Sequence, residues 1–222
     1  MSELEYWNLW EESGLDISKK SMRQKKTYKK TSPASLTATS LEQVQKTLGD
    51  CKRCGLCKDR NQIVFGVGDP KARLMFIGEG PGADEDEQGI PFVGRAGQLL
   101  NKIIEAMGLQ RDAVYIANIV KCRPPKNRVP EPEEIAECFP FLKAQVEIVK
   151  PEMVVALGLT AARVLTQTDS NMGELRGKIT SLAWNTSVPL MPTYHPAYLL
   201  RNPSAKKIVW DDMKLVKKAL SL

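Results

Sequence analysis

The sequence predicts an α/β protein of three layers, α/β/α, with a central four-stranded parallel sheet between two layers of helices. Four short apolar runs, each typical of a buried strand, alternate with segments whose apolar residues recur at helical spacing. Strands that alternate with helices in this way form parallel sheets covered on both faces. The 222 residues are enough for one such domain with an appendage.

Each element is placed by its own local pattern. The strands are expected at about 73–78, 114–120, 153–157 and 188–193. Helices are expected at 41–49, from near Ala96 to Met107, at 132–149, from Thr160, and at 203–219, with an irregular or hairpin segment at 169–187. Pro140 removes a backbone donor within the third of these helices, so we expect a kink or break just after Cys138.

Residues 1–40 are predicted to be a flexible basic extension of the domain formed by residues 41–222. The segment from Lys19 to Lys30 carries seven basic residues in twelve positions. Such a segment is either an inert tail or an arm that contacts DNA or a protein partner, and both interpretations stay open. Trp7 and Trp10 precede it and offer apolar contacts to an unidentified partner.

The composition excludes some classes of protein and permits others. The net charge of +6 and the pI of about 9.0 permit a nucleic-acid partner without requiring one. No apolar run approaches the length of a membrane-spanning helix, and the N-terminus lacks the apolar stretch of a signal peptide. We therefore expect a cytoplasmic protein with no membrane partner, and we take a monomer as the default.

The stretch from Gly78 to Gly97 is the predicted centre of the molecule. It holds six glycines and two prolines in twenty positions and follows a buried strand, a pattern typical of backbone held close to a ligand. Its acidic residues argue against a simple phosphate site. Asn118, Gly158 and His195 follow the other three strands, and the carboxyl ends of parallel strands meet at one edge of a sheet. The sequence therefore predicts a ligand site at that edge.

Cysteines indicate a second site. The pair Cys51 and Cys54 has metal-ligand spacing, and Cys122 and Cys138 lie farther along the chain. Four thiolates suit a zinc ion or an iron–sulfur cluster, and the spacing does not choose between them. Cys57 competes with Cys54 as a ligand on spacing alone, and buried cysteines that bind nothing are a further alternative.

These motifs resemble the family 4 uracil-DNA glycosylases, the iron–sulfur type of bacteria and archaea. The resemblance covers about residues 41–220. It rests on Gly-Glu-Gly-Pro-Gly at 78–82, Glu85-Asp86, Pro-Phe-Val-Gly at 91–94, Asn118, Lys-Cys-Arg-Pro-Pro at 121–125 with Asn127-Arg128, and His-Pro-Ala-Tyr-Leu-Leu at 195–200.

The resemblance implies a DNA-repair hydrolase. Such an enzyme flips uracil out of single- or double-stranded DNA and hydrolyses its glycosidic bond, leaving an abasic site. The resemblance also implies a 4Fe–4S cluster, bound by Cys51, Cys54, Cys122 and Cys138, with Cys57 outside the ligand set.

The site residues carried over from the resemblance fall into three groups. The catalytic set is His195, Asn118 and Glu79; the uracil slot comprises Glu79, Gly80, Pro81, Glu85, Phe92, Asn118 and His195; and the DNA contacts are a wedge at Leu199 with Arg201, Arg123 and Arg128. Phe92 is expected to stack on uracil, Asn118 to read its edge, and His195 to donate to the departing anion. Glu85 is expected to crowd C5 of the base and exclude thymine. Gly80 supplies no carboxylate where other uracil glycosylases carry a water-activating aspartate.

Two other functions fit part of the sequence. A non-catalytic iron–sulfur module that binds nucleic acid accounts for the cysteines and the charge, but not for the polar residues at the strand ends. A nucleotide-dependent Rossmann enzyme fits less well, because Gly78–Gly82 lacks the Gly-x-Gly-x-x-Gly pattern and acidic residues follow it.

Overall fold

Helices and strands alternate along residues 36–222, the part of the chain that the computed structural model describes; Trp7, Trp10 and the basic segment 19–30 lie outside the described residues. The helices are α1 Leu41–Leu48, α2 Ala83–Gln88, α3 Arg95–Ala106, α4 Pro132–Val149, α5 Leu159–Thr166, α6 Met172–Leu175, α7 Pro196–Arg201 and α8 Ala205–Leu220. The strands are β1 Val67–Gly68, β2 Leu74–Gly78, β3 Tyr115–Asn118, β4 Met153–Leu157, β5 Thr180–Leu182 and β6 Asn185–Thr193. None of the helices within this range is long and apolar enough to cross a membrane.

The strands form one six-stranded sheet in the order β1-β3-β2-β4-β6-β5. The four central strands are parallel, and β1 and β5 pair with their neighbours in the antiparallel direction at the two edges. The predicted four-stranded parallel sheet is confirmed. The two short edge strands extend it.

Alternate residues of the central strands face opposite layers of helices. On β2, Leu74 and Phe76 pack in one apolar cluster with residues of α3 and α8, whereas Met75 and Ile77 pack in another with residues of α4 and α5. This confirms the three-layer arrangement. A third cluster joins α1 to the outer side of α4, and Leu36 packs against it.

Helix α4 is continuous from Pro132 to Val149, with Pro140 in its interior. The break expected just after Cys138 is wrong. Phe139, Phe141 and Leu142 flank the proline and are all buried in the apolar clusters. Packing on both sides of the helix offsets the missing backbone hydrogen bond, so the helix continues through the proline.

The glycine-rich stretch contains one helix that its composition does not suggest. Helix α2 begins after Gly82 and ends at Gln88, and Gly89, which caps it, has a left-handed φ of 71°. Its first turn carries Asp84, Glu85 and Asp86, and carboxylates at that position are stabilised by the helix dipole. The acidic residues that argued against a phosphate site therefore have a structural reason.

Candidate active site

The carboxyl ends of the four parallel strands place the predicted site residues together. Gly78 at the end of β2 pairs in register with Asn118 at the end of β3. Leu157 of β4 pairs with Thr193 of β6, two residues before His195. The polar strand ends thus lie along one edge of the sheet, as the sequence predicts.

Asn118 and Phe92 face each other across Gly78. A Cβ atom built on Gly78 would lie 2.5 Å from Asn118 Oδ1 and 2.6 Å from Phe92 Cζ, so only glycine fits between them. Asn118 is 1% exposed, and its Oδ1 has no hydrogen-bond partner. Because a buried polar atom without a partner is costly, this oxygen points to a ligand that donates a hydrogen bond to it.

His195 completes the same group. Its ring centroid lies 5.5 Å from that of Phe92, with the ring planes tilted by 30°. On its other side, Gly158 has a left-handed φ of 94°, and a Cβ there would lie 3.1 Å from His195 Cβ. Asn118, Phe92 and His195 therefore form one continuous surface, supported by the two glycines.

The backbone sets the protonation state of His195. Its Nδ1 accepts a hydrogen bond from the Ala197 amide at 3.1 Å, so the proton of the neutral ring lies on Nε2. Burial lowers the pKa of His195 to about 4, and the charge of Arg201 adds to the effect. At neutral pH the site therefore contains an uncharged imidazole with an Nε2–H donor.

The turn after β2 carries Glu79, Gly80 and Pro81. Burial raises the pKa of the Glu79 carboxyl group, and a hydrogen bond with Thr160 opposes this shift. A Cβ on Gly80 would lie 2.8 Å from a methyl carbon of Val120. The space that an aspartate at position 80 would need is thus already filled by Val120.

Glu85 lies beneath the loop that carries Phe92. Its Oε1 accepts hydrogen bonds from the amides of Val93 (2.9 Å) and Gly94 (3.0 Å), and its Oε2 accepts one from Gly82 (3.0 Å). Both carboxylate oxygens are therefore engaged by backbone. Glu85 has a role in shaping the loop that the sequence did not indicate.

Leu199, the residue assigned as the wedge, does not present an exposed side chain. Leu199 is 1% exposed and packs in the apolar cluster of α3 and α8, so it is not available to enter a DNA duplex. Leu200, the next residue of α7, is 41% exposed, and Arg201 is exposed beside it. The six-residue helix α7 turns position 199 toward the core and position 200 toward solvent.

The two arginines of the proline-rich loop make contacts within the protein. Arg128 forms a two-bond ion pair with Glu134, with N–O distances of 2.7 and 2.8 Å, which raises the pKa of the guanidinium. Arg123 donates from Nε to Asn127 Oδ1 at 2.8 Å. Both side chains are partly exposed on the loop between β3 and α4.

Four cysteines line one small cavity beside this loop. They are Cys51, Cys54, Cys122 and Cys138, the set implied by the resemblance. Cys57 does not line this cavity. The chain brings them together because Cys51 and Cys54 follow α1, Cys122 follows β3 and Cys138 lies on α4, which packs against α1.

Three of these sulfurs accept hydrogen bonds from nitrogen donors. The pairs are Arg53 Nη1 with Cys51 at 3.1 Å, Arg60 Nη1 with Cys122 at 3.4 Å and the Lys121 amide with Cys138 at 3.2 Å. Burial raises the pKa of the Cys122 thiol to about 11 and that of Cys138 to about 12, and neighbouring thiols add to both shifts. The cavity thus favours deprotonated sulfurs only when a positively charged group binds them.

Two basic residues that the sequence did not single out contact the backbone of candidate site residues or their neighbours. Lys121 is buried and donates from Nζ to the Asn118 carbonyl oxygen at 2.9 Å and to Gln145 Oε1 at 2.5 Å. Arg111 donates to Pro91, next to Phe92. The only available signal for Lys121 was its place in the motif at 121–125, and nothing local distinguished Arg111 from other basic residues.

Comparisons with known proteins identify relatives of the chain. The family model described as the Uracil DNA glycosylase superfamily matches residues 65–214. Type-4 uracil-DNA glycosylases are similar to the chain: that of Sulfurisphaera tokodaii is 44% identical over 80% of this chain and 84% of its own length. That of Thermotoga maritima is 43% identical, covering 80% and 93%, and that of Saccharolobus solfataricus is 42% identical, covering 82% and 87%.

Proposed function

The chain belongs to the uracil-DNA glycosylase superfamily and to its type-4 group, and from this premise we propose that it hydrolyses the bond between uracil and deoxyribose in DNA. The substrate is uracil in single- or double-stranded DNA, and the product is an abasic site. The reaction makes the protein a monofunctional glycosylase of base excision repair. The observation that carries the proposal is the buried, unpartnered oxygen of Asn118 beside Phe92 and His195.

Asn118 and Phe92 recognise the flipped base. The Asn118 Oδ1 atom accepts from uracil N3–H, and its Nδ2 donates to O4, since a carboxamide offers both an acceptor and a donor. Cytosine has an acceptor at N3 and a donor at position 4, the reverse of uracil, and is rejected. Phe92 stacks on the ring, while the unstacking of the base from DNA costs a few kcal/mol.

His195 stabilises the leaving group. As the bond from C1′ to N1 breaks, negative charge develops on uracil, and His195 Nε2–H donates to O2. The neutral state of the ring suits this task, because a neutral imidazole keeps its Nε2 proton while the uracil anion departs. The backbone amides of Glu79 and Gly80 supply further donors.

Water is positioned in this mechanism, with no aspartate at position 80 to deprotonate it. Val120 fills the space beside Gly80, so the turn itself excludes that carboxylate. Glu79, with its raised pKa, is the remaining acidic side chain of the turn and orients water. Pro81 shapes the turn, and Glu85 crowds C5 of the base through its place beneath the Phe92 loop.

Exposed side chains around the slot contact DNA. Leu200 replaces Leu199 as the wedge that fills the space left by the flipped base. Arg201 lies close enough to His195 to influence its pKa, which places a cation beside the slot for a phosphate. Arg123 and Arg128 contact the backbone farther along, where the loop after β3 is exposed.

A 4Fe–4S cluster is the group that fits the cysteine cavity. Cys51, Cys54, Cys122 and Cys138 line that cavity, and four thiolates are the ligands that such a cluster takes. Bound there, the cluster would tie the segment after α1 to the loop after β3 and so keep that loop rigid.

The protein acts as a monomer in the cytoplasm. The basic segment 19–30 strengthens DNA binding by contacts with phosphates, which deletion of residues 1–40 tests: binding is weakened mainly at low salt. Binding that is unchanged at low salt would indicate an inert tail.

Excision is tested with uracil-containing single strands and U:G duplexes, followed by alkali cleavage of the abasic product. Cleavage is expected with uracil and not with a matched T:G duplex. His195→Ala removes the donor to the leaving group and is expected to lower the rate by roughly 100-fold. Asn118→Ala is expected to be similarly impaired, and both far more than Glu79→Gln. Asn185→Ala, on the β5–β6 hairpin away from the slot, is the matched control.

Two results would count against parts of the proposal. DNA binding without any abasic product would favour the non-catalytic module instead. Equal losses in the three site variants would contradict the assigned roles.

The cluster is tested with two cysteine variants. Cys122→Ser is expected to lose iron and visible absorbance, whereas Cys57→Ser is expected to retain both. Zinc in place of iron would overturn the assignment.

A further inference from the structure

Phe92 has an unusual backbone conformation. Its φ is 54°, in the left-handed region that bulky side chains rarely adopt. Such a conformation is strained and persists only where surrounding contacts enforce it.

The peptide that follows Phe92 is held by Glu85. The Val93 amide belongs to that peptide and donates to Glu85 Oε1 at 2.9 Å, and the Gly94 amide donates to the same oxygen at 3.0 Å. The other carboxylate oxygen binds Gly82 and so ties the contact to the start of α2. The orientation of this peptide plane is thereby determined by a charged group.

The peptide that precedes Phe92 is held by Arg111. The Pro91 carbonyl belongs to that peptide and accepts from Arg111 Nη2 at 2.5 Å. Arg111 Nη1 donates to Asn101 Oδ1 on α3 at 2.6 Å, which orients the guanidinium. Behind the loop, a Cβ on Gly97 would lie 1.9 Å from the Phe92 carbonyl oxygen, so α3 supports the backbone at close range.

These contacts determine both backbone angles of Phe92. The angles φ and ψ describe the rotation between the two peptide planes that flank a residue. One plane is bound by a cation and the other by an anion. Burial lowers the pKa of Arg111, and the nearby charge of Glu85 opposes that shift. Charged hydrogen bonds are about twice as strong as neutral ones. The arrangement is suited to maintaining a strained residue.

We propose that Arg111 is a positioning residue for catalysis, and that Arg111 and Glu85 together form an ionic clamp that holds Phe92 as the wall of the uracil slot. The inference rests on the proposed function, since it assigns Arg111 a part in base recognition through Phe92. Arg111 itself contacts no substrate. Its effect on excision is therefore expected to depend on the presence of the Phe92 ring.

A double-mutant cycle tests this dependence. Arg111→Met is expected to lower kcat/KM for uracil excision by roughly 10- to 100-fold, the range for losing a charged hydrogen bond. In a Phe92→Ala background the same change is expected to cost less than about 2-fold, because the side chain being positioned is absent. Arg111→Lys keeps the charge and is expected to recover part of the loss. Arg163→Met, which removes an arginine bound to the carbonyls of Asp169 and Ser170, is the matched control.

Hydrogen exchange provides a readout that does not require activity. In Arg111→Met, the Val93 and Gly94 amides are expected to exchange faster, while strand β4 stays protected. Additive losses in the cycle, or unchanged exchange at these amides in a folded variant, would overturn the clamp. A wild-type protein that excises no uracil would instead refute the proposed function, and the exchange result would still decide whether the clamp exists.

Discussion

A methyl group added at Gly78 is expected to separate Asn118 and Phe92, the two side chains that line the proposed uracil slot. Gly78→Ala places a carbon 2.5 Å from Asn118 Oδ1 and 2.6 Å from Phe92 Cζ, whereas ordinary contact begins at 3.4 Å. One or both side chains must therefore move, by up to about 1 Å, and a displacement of that size in a positioning group can cost about 100-fold in rate. Overpacking is expected to lower the free energy of unfolding by about 1–3 kcal/mol.

Single-turnover excision from a single-stranded oligonucleotide is the suitable assay, because it removes the cost of opening a duplex. Thermal unfolding of the same preparation shows whether the variant is folded. Gly173→Ala adds the same methyl group within α6, where the nearest atom is 3.2 Å away, and is expected to excise uracil at nearly the wild-type rate. A folded Gly78→Ala protein with wild-type activity would refute the view that Asn118 and Phe92 must be held at their present separation.

Three further predictions concern the protonation of His195, the ion pair between Arg176 and Asp212, and the two leucines of α7. The pKa of His195 is about 4 in the folded protein, below its ordinary value of 6.5, so between pH 6.5 and pH 4 the folded protein binds fewer protons than the unfolded chain. The free energy of unfolding should therefore fall as the pH drops from 6.5 to 4. The fall should be smaller in His195→Gln. Excision should likewise lose its rate near pH 4, and an acidic limb near 6.5 would contradict the neutral donor. Arg176→Met leaves the fully buried Asp212 without its cation and should cost about 3–5 kcal/mol in urea unfolding; a loss below 1 kcal/mol would contradict this. Leu199→Ala should destabilise the fold by about 2–5 kcal/mol, whereas Leu200→Ala should leave stability unchanged and reduce excision from duplexes more than from single strands. The opposite assignment of effects would restore Leu199 as the wedge.

Local patterns in the sequence were sufficient for the sheet and for the place of the site. The strand Met153–Leu157 was predicted with the bounds that the structure has, because a short apolar run between turn residues admits few alternatives. Placing Asn118 and His195 at the same edge needed only the rule that parallel strands end together. Three of the motifs that indicated the family, Gly78–Gly82, Asn118 and the segment from His195, lie at or just after these strand ends.

Other features depend on how distant elements pack, and local patterns do not contain that information. Pro140 predicts a broken helix when α4 is considered alone, yet buried neighbours on both sides keep it continuous. Leu199 and Leu200 are chemically equivalent, and only the docking of α7 against the core determines which one is exposed.

The glycine-rich stretch shows most clearly where the sequence alone was sufficient and where it was not. Its composition predicted close approach to the backbone after β2, and the structure shows Gly78 between Asn118 and Phe92. Composition did not reveal that Glu85 binds the backbone on one side of Phe92, or that Arg111, nearly twenty residues away along the chain, binds it on the other. The physical reason is that glycine is required by local crowding of the backbone, whereas the partner of a charged side chain is chosen by tertiary proximity. The sequence alone therefore determined which edge of the sheet carries the proposed uracil slot, and the tertiary structure decided which side chains bind the loop that carries Phe92.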